Sequence, residues 1–327
     1  MEFQSTDEVV TGGRVTGDDA EQVRRARKRI AEHVVGRERE LDLLLAAVAA
    51  GRDVLLEGPP GTSKSTLLRA ITEEWGIPLV FVEGNADLTP SRLVGHHNPA
   101  RVLREDYTPE NFEPGPLVQA MRGGGFLYVE EFNRAPEDTL NTLLTAMAER
   151  RITLPTAGTV DAEPTFRVVA SMNPFDNVGT TRLPQSVHDR LCRLAIGYQD
   201  AEAERGITVR RTGLVNARLV ADAVAVSRAT RERDDVRQGS SVRGAIDTAL
   251  VAAQLAAMRD VELPEGDDVD PPRGLPEAYT GVVLDAMTVA LSGRLQVDEV
   301  SGATPEGVIR EIWEDHFLLE PAAADPG

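Results

Sequence analysis

The sequence predicts an α/β fold: a parallel sheet flanked by helices, followed by a smaller all-helical domain. Three observations carry that reading. A short apolar run at 53–57 enters a Gly/Pro-rich bend, and a helical stretch at 65–75 leaves it. Further apolar runs rich in β-branched and aromatic residues recur at 79–82, 126–129 and 166–170, with helical stretches between them. That rhythm belongs to parallel strands buried on both faces. After about residue 200 the strand-like runs stop, and 214–230, 241–259 and 278–292 are Ala/Val/Leu-rich at helical spacing.

Taken in order, residues 1–20 are polar, contain Thr11-Gly12-Gly13, and read as a frayed lead-in. Residues 19–32 read as a charged helix and 37–50 as an amphipathic one. The expected organisation is a lead-in and helix at 1–30, the α/β domain at 31–200, the helical domain at 201–320 and a disordered tail at 321–327. The segment 264–276 (PEGDDVDPPRGLP) reads as a solvated loop within the helical domain.

Composition narrows the function. A chain of 327 residues has ample core, and its net charge of -18 argues against duplex DNA or RNA as a tight partner. The lone cysteine, Cys192, excludes an internal disulfide and any Cys-rich metal site; in Leu191-Cys192-Arg193-Leu194 it reads as a small core residue. No signal pattern is visible in the polar, acidic first residues, and the apolar runs at 41–50 and 249–258 are too short to span a bilayer. A cytoplasmic location is expected.

Of the 35 lysines and arginines only Lys28 and Lys64 are lysine, and Lys64 lies within Gly58-Pro59-Pro60-Gly61-Thr62-Ser63-Lys64-Ser65-Thr66. An ammonium is a compact point charge that fits between phosphate oxygens, which a planar guanidinium cannot copy. Strand, glycine bend and helix start together make an anion nest of backbone N–H groups. Lys64 is expected to reach the β- and γ-phosphates of a nucleotide, and Ser65 to ligate Mg²⁺. Ser63 stands where the usual G-x-x-x-x-G-K-[ST] pattern has its second glycine. A helical φ would suit serine there, and a positive φ would strain it.

The run Phe126-Leu127-Tyr128-Val129 ends in Glu130-Glu131. Downstream of a phosphate loop, a buried strand ending in two carboxylates suits hydrolysis. Glu130 would hold the Mg²⁺ shell, and Glu131 would orient and deprotonate water. The first acid in such sites is commonly Asp, so Glu130 adds a methylene. A third strand, at 166–171, ends in Met172-Asn173-Pro174. An amide at that strand end can sense the γ-phosphate, although by itself an Asn such as Asn173 is a turn residue more often than a catalytic one. A guanine-reading Asn/Thr-Lys-x-Asp motif cannot be built from these two lysines, since Lys28 precedes Arg29-Ile30, so ATP is the expected nucleotide.

Over roughly residues 30 to 315 the chain resembles the MoxR family of AAA+ ATPases. The resemblance rests on Val34-Val35-Gly36-Arg37-Glu38, GPPGTSKS, Phe112-Glu113-Pro114-Gly115-Pro116-Leu117 and Glu130-Glu131-Phe132-Asn133-Arg134-Ala135-Pro136. It continues through Leu143-Leu144-Thr145-Ala146-Met147-Ala148-Glu149-Arg150, Ala170-Ser171-Met172-Asn173-Pro174 and Leu183-Pro184-Gln185-Ser186-Val187-His188-Asp189-Arg190-Leu191. MoxR-like loops commonly carry a small residue before the lysine, as Ser63 is; Glu130 in place of Asp is a departure.

The resemblance implies further roles. Val35 and Gly36 match the segment beside adenine, and Asn173 matches sensor 1. Arg190 matches the arginine finger that acts on ATP in a neighbouring subunit, with Arg182 and Arg193 as rivals. Arg243, in Gly239-Ser240-Ser241-Val242-Arg243, matches sensor 2 on a lid helix. For each arginine a surface ion pair is the alternative. The resemblance also implies a homo-oligomeric ring, typically a hexamer, and inserts at 85–116 and 152–165 facing the pore or the substrate. The second insert reads as a hairpin. His96 and His97 in the first read as exposed loop residues rather than metal ligands.

The function so implied is an ATP-hydrolysing chaperone that remodels, matures or activates a client protein complex, with a separate von Willebrand A-domain partner. Two alternatives are a nucleotide-gated assembly switch with little hydrolysis and a magnesium-chelatase-like ATPase subunit.

Overall fold

The computed structural model describes residues 17–105, 107–154, 158–174, 183–266, 274–298 and 300–318. The chain forms two compact units, Met1–Gly197 and Tyr198–Gly327.

In the first unit α1 (Gly17–Ala31) and α2 (Glu38–Ala49) lead into β1 (Val54–Glu57), α3 (Lys64–Trp75) and β2 (Leu79–Glu83). An inserted region follows, with α4 (Pro90–Val94), β3 (Gly95–His97), α5 (Pro99–Glu105) and β4 (Phe112–Pro114). Next come α6 (Pro116–Gly123), β5 (Phe126–Glu130), α7 (Glu137–Glu149), the hairpin strands β6 (Arg151–Leu154) and β7 (Gly158–Asp161), then β8 (Arg167–Met172), α8 (Gln185–His188) and β9 (Cys192–Ala195). Five strands pair in parallel in the order β2-β5-β8-β1-β9.

Side chains alternate across this sheet, as strand geometry requires. Leu55, Leu127, Val129, Val168 and Ala170 enter one core with Leu117, Met121, Leu140 and Leu143. Val54, Leu56, Phe126, Tyr128 and Val169 enter the other, with Leu44, Leu67, Leu68 and Ile71. Both faces are covered, so β1, β5 and β8 read as unbroken apolar runs. Each such side chain contributes about 1.5–3 kcal/mol when buried. Helix α3 turns Leu67, Leu68, Ile71 and Trp75 toward the sheet and stops at Gly76, whose φ of 64° closes the last turn.

Four expectations are corrected here. Strand β2 is an edge, not a strand buried on both faces: Val82 is buried but Phe81 is 46% exposed. Strand β9 forms the other edge, and Cys192 on it is exposed rather than a core residue, because β9 pairs only with β1 and its outer side meets solvent. His96 and His97 lie on an antiparallel ribbon, β3–β4, rather than in a loop. His97 packs edge-on to Tyr107 and Phe112, and His96 lies 4.0 Å from the Glu113 carboxylate. Among the described residues no group of three or more His, Cys, Asp or Glu could hold a metal ion. Strand-like structure also does not stop at residue 200, as the second unit shows.

The second unit contains α9 (Ala201–Thr212), α10 (Ala217–Ala229), β10 (Val236–Gln238), α11 (Val242–Met258), α12 (Glu277–Leu291), β11 (Gln296–Val297) and α13 (Pro305–Phe317). Strands β10 and β11 pair as a short antiparallel ribbon. Asp200, Asn216, Ser241 and Thr304 cap the helices they precede, each side chain accepting a backbone N–H. Buried Asp222 on α10 accepts hydrogen bonds from Arg218 at 2.9 and 3.0 Å and from the Tyr279 hydroxyl at 2.8 Å, and meets His316 Nε2 at 2.9 Å. Burial alone would raise its pKa, but the contacts with His316, Arg218 and Tyr279 hold it below the usual carboxylate value. This network joins α10, α12 and α13.

No helix among the described residues is long and apolar enough to cross a membrane. Residues 1–16 of the lead-in, 267–273 of the solvated loop, Arg182 and the 321–327 tail lie outside the described residues.

Candidate active site

The C-terminal ends of β1, β5 and β8 lie side by side, because β8 pairs with both β1 and β5. In open α/β sheets this edge is where ligands bind. Gly58 leaves β1 with its N–H donated to the Met172 carbonyl at 3.1 Å. A Cβ at Gly58 would stand 2.0 Å from the Ile196 carbonyl oxygen, so only glycine fits between these two backbone segments. Gly61 then turns with φ of 74°.

Ser63 also has a positive φ, 67°, immediately before α3. The strained alternative posed by the sequence is therefore the one observed. A left-handed conformation costs an L-residue about 1–2 kcal/mol, and a β-branched side chain suffers most. Ser63→Val is expected to lower unfolding stability by roughly 1–2 kcal/mol relative to Ser63→Gly. A denaturant titration of the two variants checks this, and equal midpoints would refute strain at this residue.

Lys64 is 9% exposed, and its Nζ donates to the Gly58 and Pro59 carbonyls at 2.8 Å each. Thr62 Oγ1 donates to the Pro59 carbonyl at 2.8 Å. The loop therefore holds its own ammonium through backbone geometry. Pro60 and Thr66 belong to the same segment, with Thr66 in the first turn of α3. Ser65 Oγ donates to Glu130 Oε1 at 2.8 Å and lies 3.0 Å from the Tyr128 hydroxyl. The two residues assigned to the metal from sequence are thus in direct contact, although 65 positions separate them. Their donors are hydroxyl and carboxylate oxygens, the hard set that Mg²⁺ prefers alongside water and phosphate. On that chemistry the site fits Mg²⁺.

Glu131 follows the strand end with φ of 52° and ψ of 44°, and its carboxylate pairs with Arg134 Nε at 3.3 Å. Non-glycine residues held left-handed cluster at active sites. Asn173, 8% exposed, follows β8, and its carbonyl accepts a 3.4 Å contact from Asn133 Nδ2. That contact ties the turn after Glu131 to the end of β8.

Other expected site residues stand elsewhere. Val35 and Gly36 occupy the turn between α1 and α2. Beside them the buried Arg37 guanidinium donates to the Gly197 carbonyl at 2.6 Å and to Glu40 at 3.2 Å. Arg190 is exposed after α8, with Nη1 donated to the Ser186 carbonyl at 3.0 Å. It borders a recess with Arg52 and Asp53, at the N-terminal end of β1 and so at the opposite pole of the strand from the phosphate loop. Its rival Arg193 is ion-paired with Glu57. Arg243 belongs to the second unit, in the first turn of α11, where its N–H meets the Ser241 hydroxyl at 3.4 Å. Arg231 steadies the preceding turn: it lies 4.0 Å over the Tyr198 ring, pairs with Glu204 at 2.7 Å and donates to the Ser240 carbonyl at 2.5 Å.

Sequence reasoning missed Tyr128 and Ser171. The fully buried tyrosine meets Ser65 Oγ at 3.0 Å, Ser171 Oγ at 2.9 Å and Glu130 Oε1 at 3.3 Å. Burial, and then the neighbouring Glu130 carboxylate, push its pKa up to about 12, so the hydroxyl stays protonated at neutral pH. A signal was present. Residues two apart on a strand share a face, so Tyr128 lies on the side of Glu130, and a buried phenol needs a partner.

Residues 53–191 match the family described as AAA domain (dynein-related subfamily). Gas vesicle ATPase GvpN of Ancylobacter aquaticus is 27% identical over 285 residues, covering 82% of this chain and 73% of that protein. Protein MoxR of Methylorubrum extorquens is 34% identical over 189 residues, covering 56% of this chain and 52% of that protein. Chaperone MoxR1 of Mycobacterium tuberculosis is 30% identical over 179 residues, covering 54% and 45%. The chain spans about half the length of the two MoxR relatives.

Proposed function

We propose that the chain is a MoxR-type AAA+ ATPase, as its similarity to two MoxR proteins and to the AAA domain family supports, and that it hydrolyses ATP to remodel, mature or activate a client protein complex. The observation that carries the hydrolytic part is the 2.8 Å contact between Ser65 and Glu130 at the mouth of a glycine loop holding a buried lysine. In this reading Lys64 and the N–H groups of residues 58–66 hold the phosphate tail. Ser65 and Glu130 would hold Mg²⁺, which when bound would supply positive charge against the phosphates. Tyr128 and Ser171 keep the Ser65 and Glu130 side chains in register. Glu131 takes a proton from the attacking water, and Asn173 positions that water against the γ-phosphate. Val35 and Gly36 lie beside adenine, and Arg243 follows nucleotide state from the helical unit.

Arg190 acts on ATP held by the next copy in a homo-oligomeric ring, a hexamer in this proposal. Its place at the far pole of β1 from its own phosphate loop supports a role in trans. The chaperone name of one relative supports client remodelling, and a separate von Willebrand A-domain protein is proposed as partner.

Turnover per chain should therefore rise with protein concentration as copies assemble. Arg190→Ala should cut turnover by about 10³-fold while ATP still binds. Mixing Arg190→Ala copies with Lys64→Ala copies, which retain the finger, should recover part of the rate. Turnover independent of concentration and unchanged in Arg190→Ala would refute the trans mechanism. Absence of turnover at every concentration would refute hydrolysis itself.

A further inference from the structure

A recess of about 580 Å³ opens in the first unit at the N-terminal ends of β1 and β8. Arg52, Arg150, Arg167 and Arg190 line it, against only Asp53 and Asp189. Both aspartates already have partners: Asp53 Oδ1 accepts the Val168 N–H at 2.6 Å, and Asp189 Oδ1 accepts from Gln185 Nε2 at 3.1 Å. The recess therefore carries surplus positive charge on a chain whose net charge is -18.

Two of its guanidinium groups are held in place. Arg167 is 3% exposed, and its Nη1 donates to the Pro164 and Phe166 carbonyls at 2.7 and 2.6 Å. Gly51, with φ of 73°, leaves room for it: a Cβ there would stand 2.8 Å from Arg167 Nη2. Arg150, itself left-handed at φ of 51°, donates to the same Phe166 carbonyl and lies 4.9 Å over the Phe166 ring. Burial lowers the Arg167 pKa most, the positive charges of Arg150 and Arg52 lower it further, and the Asp53 carboxylate opposes them. Asp53 offsets part of this like charge, and the four guanidinium groups of the recess still outnumber its two carboxylates.

We propose that Arg52, Arg150 and Arg167 form a second oxyanion site, distinct from the phosphate loop, for a multiply charged phosphate chain. Planar guanidinium forks suit phosphate oxygens, and the backbone carbonyls that hold Arg150 and Arg167 fix two of the three. The chain could arrive as a free polyphosphate anion or as the terminal phosphates of a nucleotide held by a neighbouring copy; only the second source rests on the ring proposed above.

The probe is inorganic tripolyphosphate, titrated calorimetrically into the Lys64→Ala chain so that the phosphate loop is disabled. Binding is expected, weakened at least tenfold by Arg150→Gln and by Arg52→Gln, with melting curves showing that both variants remain folded. Equal affinity in both folded variants overturns the proposal. The second arm follows arginine-selective dicarbonyl labelling of Arg52 and Arg150 with a non-hydrolysable ATP analogue at assembling concentrations, with exposed Arg24 as control. Protection that needs intact Lys64 assigns the occupant to a neighbour's nucleotide, and tripolyphosphate binding to Lys64→Ala assigns it to a free anion. No tripolyphosphate binding and no protection in either arm overturns the site. ATP binding at the phosphate loop is measured separately on the unmodified chain, so loss of one does not mimic loss of the other.

Discussion

Glu131→Gln is expected to bind ATP with near-normal affinity and to lose turnover by about 10²–10⁴-fold, the range a positioned general base supplies. Glutamine keeps the size of the side chain but cannot take a proton from water. Structure should survive. The ion pair with Arg134 is partly exposed, with side-chain accessibilities of 43% and 33%, and such pairs contribute about 0–1 kcal/mol. The left-handed backbone at Glu131 suits glutamine as well as glutamate. ATP held without turnover should also accumulate the assembled form, visible by size-exclusion chromatography with nucleotide in the buffer. Phosphate release and chromatography on the same sample check both halves. Normal turnover here, with arrest in Glu130→Gln, would reverse the roles given to the two acids.

Lys64→Ala should abolish measurable ATP binding. Hydrogen bonds to charged groups contribute about 1.5–3 kcal/mol each, so losing two phosphate contacts weakens binding by about 10²–10⁴-fold. The substitution also removes the ammonium that the Gly58 and Pro59 carbonyls share, so the loop's own geometry loosens. Lys64→Arg separates charge from shape. A guanidinium retains the charge but is too wide for the pocket an ammonium fills, and it should also fail to bind. Calorimetry with magnesium-loaded ATP reads both variants, and tight binding by Lys64→Ala would mean the phosphate site lies elsewhere.

The strand, glycine bend and helix proposed to hold phosphate were legible because their requirements are local. Strand, bend and helix follow one another within 54–75, and the lone lysine marks the charge. The central strands were legible because both faces are covered, which removes polar residues from Phe126–Val129. The edges were harder. Strand β9 is short, lies at the edge of the sheet and carries Arg193, so its pattern resembles a turn and Cys192 passed for core. The ribbon β3–β4 pairs residues 15 to 19 positions apart through backbone hydrogen bonds, which leave little trace in side-chain pattern.

The amino-acid order by itself determined the central strands and the main helices, the glycine bend between β1 and α3, and which acids end the adjacent strand. Each of those depends on neighbours within a few positions, through backbone dihedrals and the two- and 3.6-residue side-chain periods. Tertiary structure decided the rest. Ser65 meets Glu130 and Tyr128 only because β5 and the helix after β1 face each other across β8. Arg52, Arg150, Arg167 and Arg190 share one recess only because four distant segments converge at one pole of the sheet. Such meetings follow from sheet order, and sheet order is set by how the whole apolar core is buried rather than by any one stretch of chain.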